Sequence, residues 1–185
     1  MTYRIKPMIF SVALAGLVAG TAQASAPSAE AKAAYVQAKE QASVTYKAAR
    51  AQCEGITGNP KDVCLAEANA ARIRAEQEAE AYYRNTLKAY TQSRLKIADA
   101  LYARDKAKCA ALTGNDKDVC VSQAKATLVA TQADAKADKK AIEARNDARD
   151  DKRAAEYKVA REKCDAFAGG AKDNCVAAAK ADYAK

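Results

Sequence analysis

Large apolar side chains are scarce along this chain, and where they occur they recur at fixed offsets. A tyrosine, a small or polar residue, a cysteine and an apolar residue stand at offsets 0, 3, 7 and 10 three times: Tyr46, Ala49, Cys53, Ile56, then Tyr102, Asp105, Cys109, Leu112, then Tyr157, Ala160, Cys164, Phe167. Steps of three and four keep side chains on one stripe of an α-helix, so each set predicts a helix running through its first cysteine. A stop and a restart follow. Gly58 and Gly114 offer the left-handed position at which helices end. Asn59 and Asn115 then read as N-caps, Pro60 fits the first helical position, and Asp62 and Asp118 lie where a carboxylate meets free N–H groups and the positive end of the helix dipole. In the third copy Gly169 and Gly170 replace the Gly-Asn pair, while Asp173 keeps its place.

Neither Gly nor Pro interrupts residues 61–112 or 115–168. The pattern therefore permits two helices of about 50 residues, each about 75 Å long. A shorter helix over about 28–55 and a stub over about 171–185 flank them. The predicted fold is all-α: elongated antiparallel helical hairpins, two long helices and two shorter ones, in a single repeat domain over 25–185 with motifs at about 46–68, 102–124 and 157–179.

The cysteines set the register of these hairpins. Cys53/Cys64, Cys109/Cys120 and Cys164/Cys175 each bracket one turn, so the two members of a pair face each other across it, within reach of the ~4.4 to 6.8 Å Cα separation a disulfide needs. Each such staple closes a short loop, contributing about 3 kcal/mol on a chain-entropy estimate. If Cys109 faces Cys120, facing residue numbers in the long pair sum to about 229. Cys64 then lies opposite Cys164, which sets the first and third staples side by side and makes Cys64–Cys164 the main rival connectivity. Glu76 and Glu80 fall opposite Arg153 and Arg149.

Composition changes the picture in one respect: the core must be thin. Leu, Ile, Val and Phe number only 19 beyond residue 24, while Ala makes up about a quarter of that stretch. Ala, Glu, Lys, Arg and Gln are strong helix formers, so long helices are expected over disorder. With little large apolar area to bury, the disulfides carry much of the stability. The poorest stretch is 131–155, where Ile142 is the one large apolar residue and the stripes Arg145, Arg149, Arg153 and Glu143, Asp147, Asp151 repel along their own helix. It reads as a solvated helix or as a face that docks a partner of complementary charge. Tyr35, Tyr46, Tyr82, Tyr83, Tyr90, Tyr102 and Tyr157 fall on helix stripes, where interhelix packing is the expected role.

Disulfides need an oxidising compartment, and the first residues supply a route to one. Arg4 and Lys6 form a positive n-region, 9–18 is a short apolar stretch, and Ala22-Gln23-Ala24 is an A-x-A cleavage site. Residues 1–24 read as a signal peptide cleaved after Ala24, leaving a periplasmic or secreted chain that does not span the membrane.

Candidate chemistry is sparse. The chain has no histidine, which removes the usual general base and the commonest metal ligand. The cysteine spacing lacks both the C-x2-C knuckle of zinc sites and the redox Cys-x-x-Cys. No phosphate loop or nucleophile elbow occurs. The expectation is no enzyme, no cofactor and no metal. A net charge of +8 is spread as alternating signs along helices, which does not suit nucleic acid and suits at most weak contact with an anionic envelope surface.

The repeat Tyr-x6-Cys-x4-Gly-x2-Lys-Asp-x-Cys resembles a group of small, exported, Ala/Lys-rich proteins of proteobacteria with Cys-bracketed helical hairpins, sometimes labelled cell-envelope or TolA-like. The likeness to TolA is one of composition. In that family a long Ala/Lys/Asp/Glu-rich helix bridges an inner-membrane anchor to a C-terminal domain that contacts outer-membrane partners. Here the N-terminal apolar segment reads as cleavable and only a short helix follows Cys175. Neither anchoring nor force transmission carries over, and what the resemblance implies is a long polar helical body outside the cytoplasm. The expected function is that of a non-catalytic structural or protein-interaction protein of the envelope, a disulfide-stapled helical rod that binds a protein partner or self-associates through helix faces. The alternative is a periplasmic helical-hairpin chaperone or stress protein, although the Leu-Thr-x-x-Gln motifs of the Spy-like family are missing.

Overall fold

A computed structural model describes residues 28–184; the segment read as a signal peptide lies outside them. The described chain is all helix and turn, in five helices: α1 (Ala29–Gln52), α2 (Asn59–Arg84), α3 (Leu87–Cys109), α4 (Gly114–Cys164) and α5 (Gly169–Asp182). All three local disulfides are present, with Cα separations of 5.8, 5.6 and 5.6 Å for Cys53–Cys64, Cys109–Cys120 and Cys164–Cys175. The rival Cys64–Cys164 bond does not form.

One expected long helix exists and the other does not. α4 runs unbroken for 51 residues, whereas 61–112 folds back on itself at Asn85. That residue sits in the left-handed region at φ 44°, ψ 44°, and its N–H caps the Ala81 carbonyl. Thr86 then takes an extended conformation, and its hydroxyl accepts a hydrogen bond from the Ala89 N–H at 3.1 Å. Asn tolerates the left-handed conformation and Thr is a natural N-cap, so this pair ends one helix and starts the next without Gly or Pro.

The fold-back rewrites the register beyond it. α2 lies antiparallel to α3, with the Asn59 side chain donating to the Ala107 carbonyl at 2.9 Å and Lys108 paired with Glu67. The first and second staples therefore share one end of the molecule. The third lies some 44 residues further along α4, about 65 Å away. The expected neighbours Cys64 and Cys164 are far apart. So are Glu76 and Glu80 from Arg153 and Arg149: Glu76 pairs with Arg72 at 2.8 Å and Glu80 with Arg84, both on α2.

The caps also differ from expectation, by one residue at α2 and by two at α4, where Thr113 is the N-cap. Each first helix of a hairpin ends at its cysteine, in a tight turn where Ile56, Leu112 and Phe167 donate their N–H to the carbonyls of Cys53, Cys109 and Cys164. Gly58, Gly114 and Gly169 serve the start of the next helix rather than the end of the last, at φ 64°, 55° and 56°. Gly58 is itself the N-cap of α2, so Asn59 opens that helix and Asn115 lies inside α4 instead of capping it. Gly170 follows within α5. Asp62 occupies the first turn of α2 as expected, but Asp116 rather than Asp118 does so in α4, and Asp173 falls beyond the first turn of α5.

Each helix packs only on its neighbours in sequence; α1 does not touch α3, nor α2 α4, among the described residues. α1 to α4 thus form a single antiparallel layer, and α5 folds back on the far end of α4. The buried residues explain the thinness: Ala42, Ala68, Ala70, Ala81, Ala89 and Ala98 are typical, with Leu128 the one large aliphatic side chain among them. Small side chains let neighbouring helix axes approach toward the lower end of the ~8 to 10 Å range. The cost is little buried area per contact, which the fully buried sulfurs of Cys53, Cys109 and Cys164 partly offset.

Candidate interaction surface

Aromatic and charged side chains fix the register of each interface. Between α1 and α2, the Tyr35 and Tyr83 rings stack at 4.8 Å and the Arg72 guanidinium lies 5.0 Å from the Tyr46 ring. The Glu80 carboxylate beside the Tyr35 hydroxyl raises that phenol above its ordinary range. The Tyr35 hydroxyl, followed by the Arg84 guanidinium, holds the Glu80 carboxyl below its own. Between α3 and α4, Arg94 pairs with Asp138 at 2.6 Å, Gln132 donates to Asp99 at 2.8 Å, and the Lys125 ammonium lies over the Tyr102 ring. Facing numbers here sum to about 231, close to the value set by Cys109 and Cys120. Between α4 and α5, Tyr157 meets Tyr183, and Lys172 beside Asp165 draws that carboxyl down. Of the seven tyrosines expected to pack, Tyr82 and Tyr90 do not: they stand 73% and 43% exposed.

This register leaves a stretch of α4 without a companion. Leu87, the first residue of α3, comes level with about residue 144, and α5 reaches back only to Tyr157 through Tyr183. Residues 144–152 are all exposed. Arg149 and Arg153 find only Asn146 and Asp150 on their own helix, each at 3.2 Å. Sequence reasoning placed these arginines against α2; the turn at Asn85 removes that partner.

The hairpins repeat in three dimensions as well as in sequence. An open groove of about 620 Å³ beside the third staple is lined by Ala160, Lys163, Cys164, Cys175 and Ala179, and one of about 530 Å³ beside the second by the equivalent Asp105, Lys108, Cys109, Cys120 and Ala124. Past the staple, however, the hairpins differ. On α2 the flank formed by Glu67, Ala70, Ala71 and Arg74 receives α3, which brings Leu101 and Arg104 against it. The matching residues of α4, Gln123, Ala126, Thr127 and Ala130, have no helix against them, and Ala126 is exposed where its counterpart Ala70 is buried. α4 does not fold back to cover them.

Among the described residues no group of His, Cys, Asp or Glu side chains is arranged to hold a metal, and no helix is long and apolar enough to cross a membrane. Neither a protein family, nor a curated protein, nor a solved structure significantly matches this chain.

Proposed function

We propose that the chain is a non-catalytic structural or protein-interaction protein of the periplasm or cell envelope, whose working surface is the outer edge of α4. The observation that carries this reading is that flank of α4, open where the same flank of α2 is filled by a helix. Three disulfides support an oxidising compartment, and a one-layer arrangement of helices offers long faces in place of an enclosed cavity. Affinity capture with the oxidised protein from an envelope fraction, under non-reducing conditions, tests it. The expected result is a partner, or further copies of the chain, lost when Ala130 and Ala137 on that edge are both changed to Glu. Capture unaffected by those changes would move the working surface elsewhere.

A second reading, a periplasmic chaperone, draws on the apolar side chains left bare at the elbows and along the layer, among them Leu112, Val119, Val129, Val159 and Phe167. Suppression of a client's aggregation at near-stoichiometric amounts would favour it.

A further inference from the structure

The side of α4 turned away from α3 carries alanines for about six turns. Leu128, Ala135 and Cys164 are buried and define the packed side. At 100° per residue, Ala126, Ala130, Ala133, Ala137, Ala144 and Ala148 line the opposite one, and all six are exposed. Alanine alone names no occupant, but two independent features do. One is the repeat: the equivalent flank of α2 is covered by an antiparallel, alanine-bearing helix of this same chain, α3, through Ala70 and Ala81 on one side and Ala89 and Ala100 on the other. The other is the pattern of charge beside the alanines. Along one margin Lys136 and Lys140 are followed by Asp147 and Asp151; along the other, Asp134 is followed by Lys152. All six are exposed, and none forms an ion pair among the described residues.

Lys136 and Lys140 repel each other at i,i+4, and so do Asp147 and Asp151. A single chain gains nothing from this arrangement. Two chains do. In a two-fold antiparallel pair each margin meets the same margin of its mate, and a register in which facing numbers sum to about 287 sets Lys136 against Asp151 and Lys140 against Asp147. On the other margin it brings Asp134 to Lys152. Symmetry makes each contact twice, and Ala144 falls within about one residue of the dyad. α1, α2, α3 and α5 all lie on the far side of α4, so nothing obstructs the approach.

We infer that the chain forms a two-fold dimer in which the outer edges of two α4 helices pack antiparallel about Ala144, joining two four-helix layers edge to edge. This names one partner for the binding role proposed above and rests on that role. Two measurements on the oxidised protein test it. Ala144→Cys is expected to give a covalent dimer on mild oxidation, while Ala126→Cys, on the same stripe but far from its symmetry mate, is not. In sedimentation, Lys136→Glu with Lys140→Glu is expected to weaken the dimer at least tenfold, and adding Asp147→Lys and Asp151→Lys to restore it, with helicity unchanged throughout. Equal cross-linking at 126 and 144 would mean a parallel pair and overturn the proposal. So would a dimer indifferent to the reversals. A monomer at tens of micromolar overturns it too; if that monomer still captures an envelope protein through α4, the binding role stands and the self-pairing falls.

Discussion

Gly58 shows how narrowly one residue is constrained here. At φ 64°, ψ −155° it occupies a region that side chains enter only with strain of about 1 to 3 kcal/mol. Space is not the obstacle, since a Cβ at this position would meet nothing nearer than Pro60 Cδ at 4.0 Å. Gly58→Ala is therefore expected to lower stability by about 1 to 3 kcal/mol, measured by denaturant unfolding of the oxidised protein. Gly170→Ala is the control: that residue lies in α5 with no positive φ and open space around it, so the change should be neutral or mildly stabilising. The pairing of Tyr35 with Glu80 gives a second test at this scale. Glu80 is depressed on folding, so its contribution is present above the ordinary carboxylate value of 4.5 and is lost as pH falls through the lower folded value. Tyr35 is raised, so its contribution is present below the ordinary phenol value of 10.0 and is lost as pH rises through the higher folded value. The stability difference between the native chain and Tyr35→Phe, measured by denaturant unfolding of the oxidised proteins, should therefore shrink in both directions. Tyr35→Phe keeps the ring stack, so a difference that stays the same from neutral to alkaline pH would assign the coupling to another group.

Among the elements, the turn between α2 and α3 has the largest structural consequence for the least sequence. Thr86→Ala removes the hydroxyl that receives the Ala89 N–H and should cost about 1 kcal/mol. Asn85→Val should cost about 1 to 2 kcal/mol more, because a β-branched residue resists the left-handed conformation. A Thr86→Ala protein with unaltered unfolding would show that packing alone sets the turn. The same element marks the limit of what the sequence discloses. Cys-x10-Cys around a glycine discloses each stapled hairpin and the register of α3 on α4, because a disulfide leaves little freedom in which residues face each other. Asn85-Thr86 is a quieter signal. Neither residue forbids a helix, both are ordinary inside one, and a scan for Gly and Pro passes over them; the clue available was an Asn able to turn left-handed directly before a strong N-cap. The placement of α2, and of α1 with it, depended on that turn. Glu76 and Glu80 were thereby placed against arginines that in fact lie along the bare part of α4, and the open edge of α4 stayed hidden.

At the scale of the whole molecule, contacts that run only between sequence neighbours make stability local, as in a repeat protein where each unit answers to the next. A compact domain with one core melts as a unit; here, among the described residues, none ties α1 to α5. α5 is the extreme case. Its 14 residues touch only α4 and are held there by Cys164–Cys175, the Tyr157–Tyr183 contact and Lys172–Asp165, and a helix so short is marginal in water without such support. Replacing Cys164 and Cys175 with Ser should therefore release α5 and expose the end of α4, while the unfolding of α2 and α3 stays where it was. Hydrogen exchange resolves the two regions: protection should fall in 157–182 and hold in 60–109. Loss of protection across both would mean that the layer is cooperative end to end, and that α4, its one continuous helix, transmits stability from the third staple to the first two.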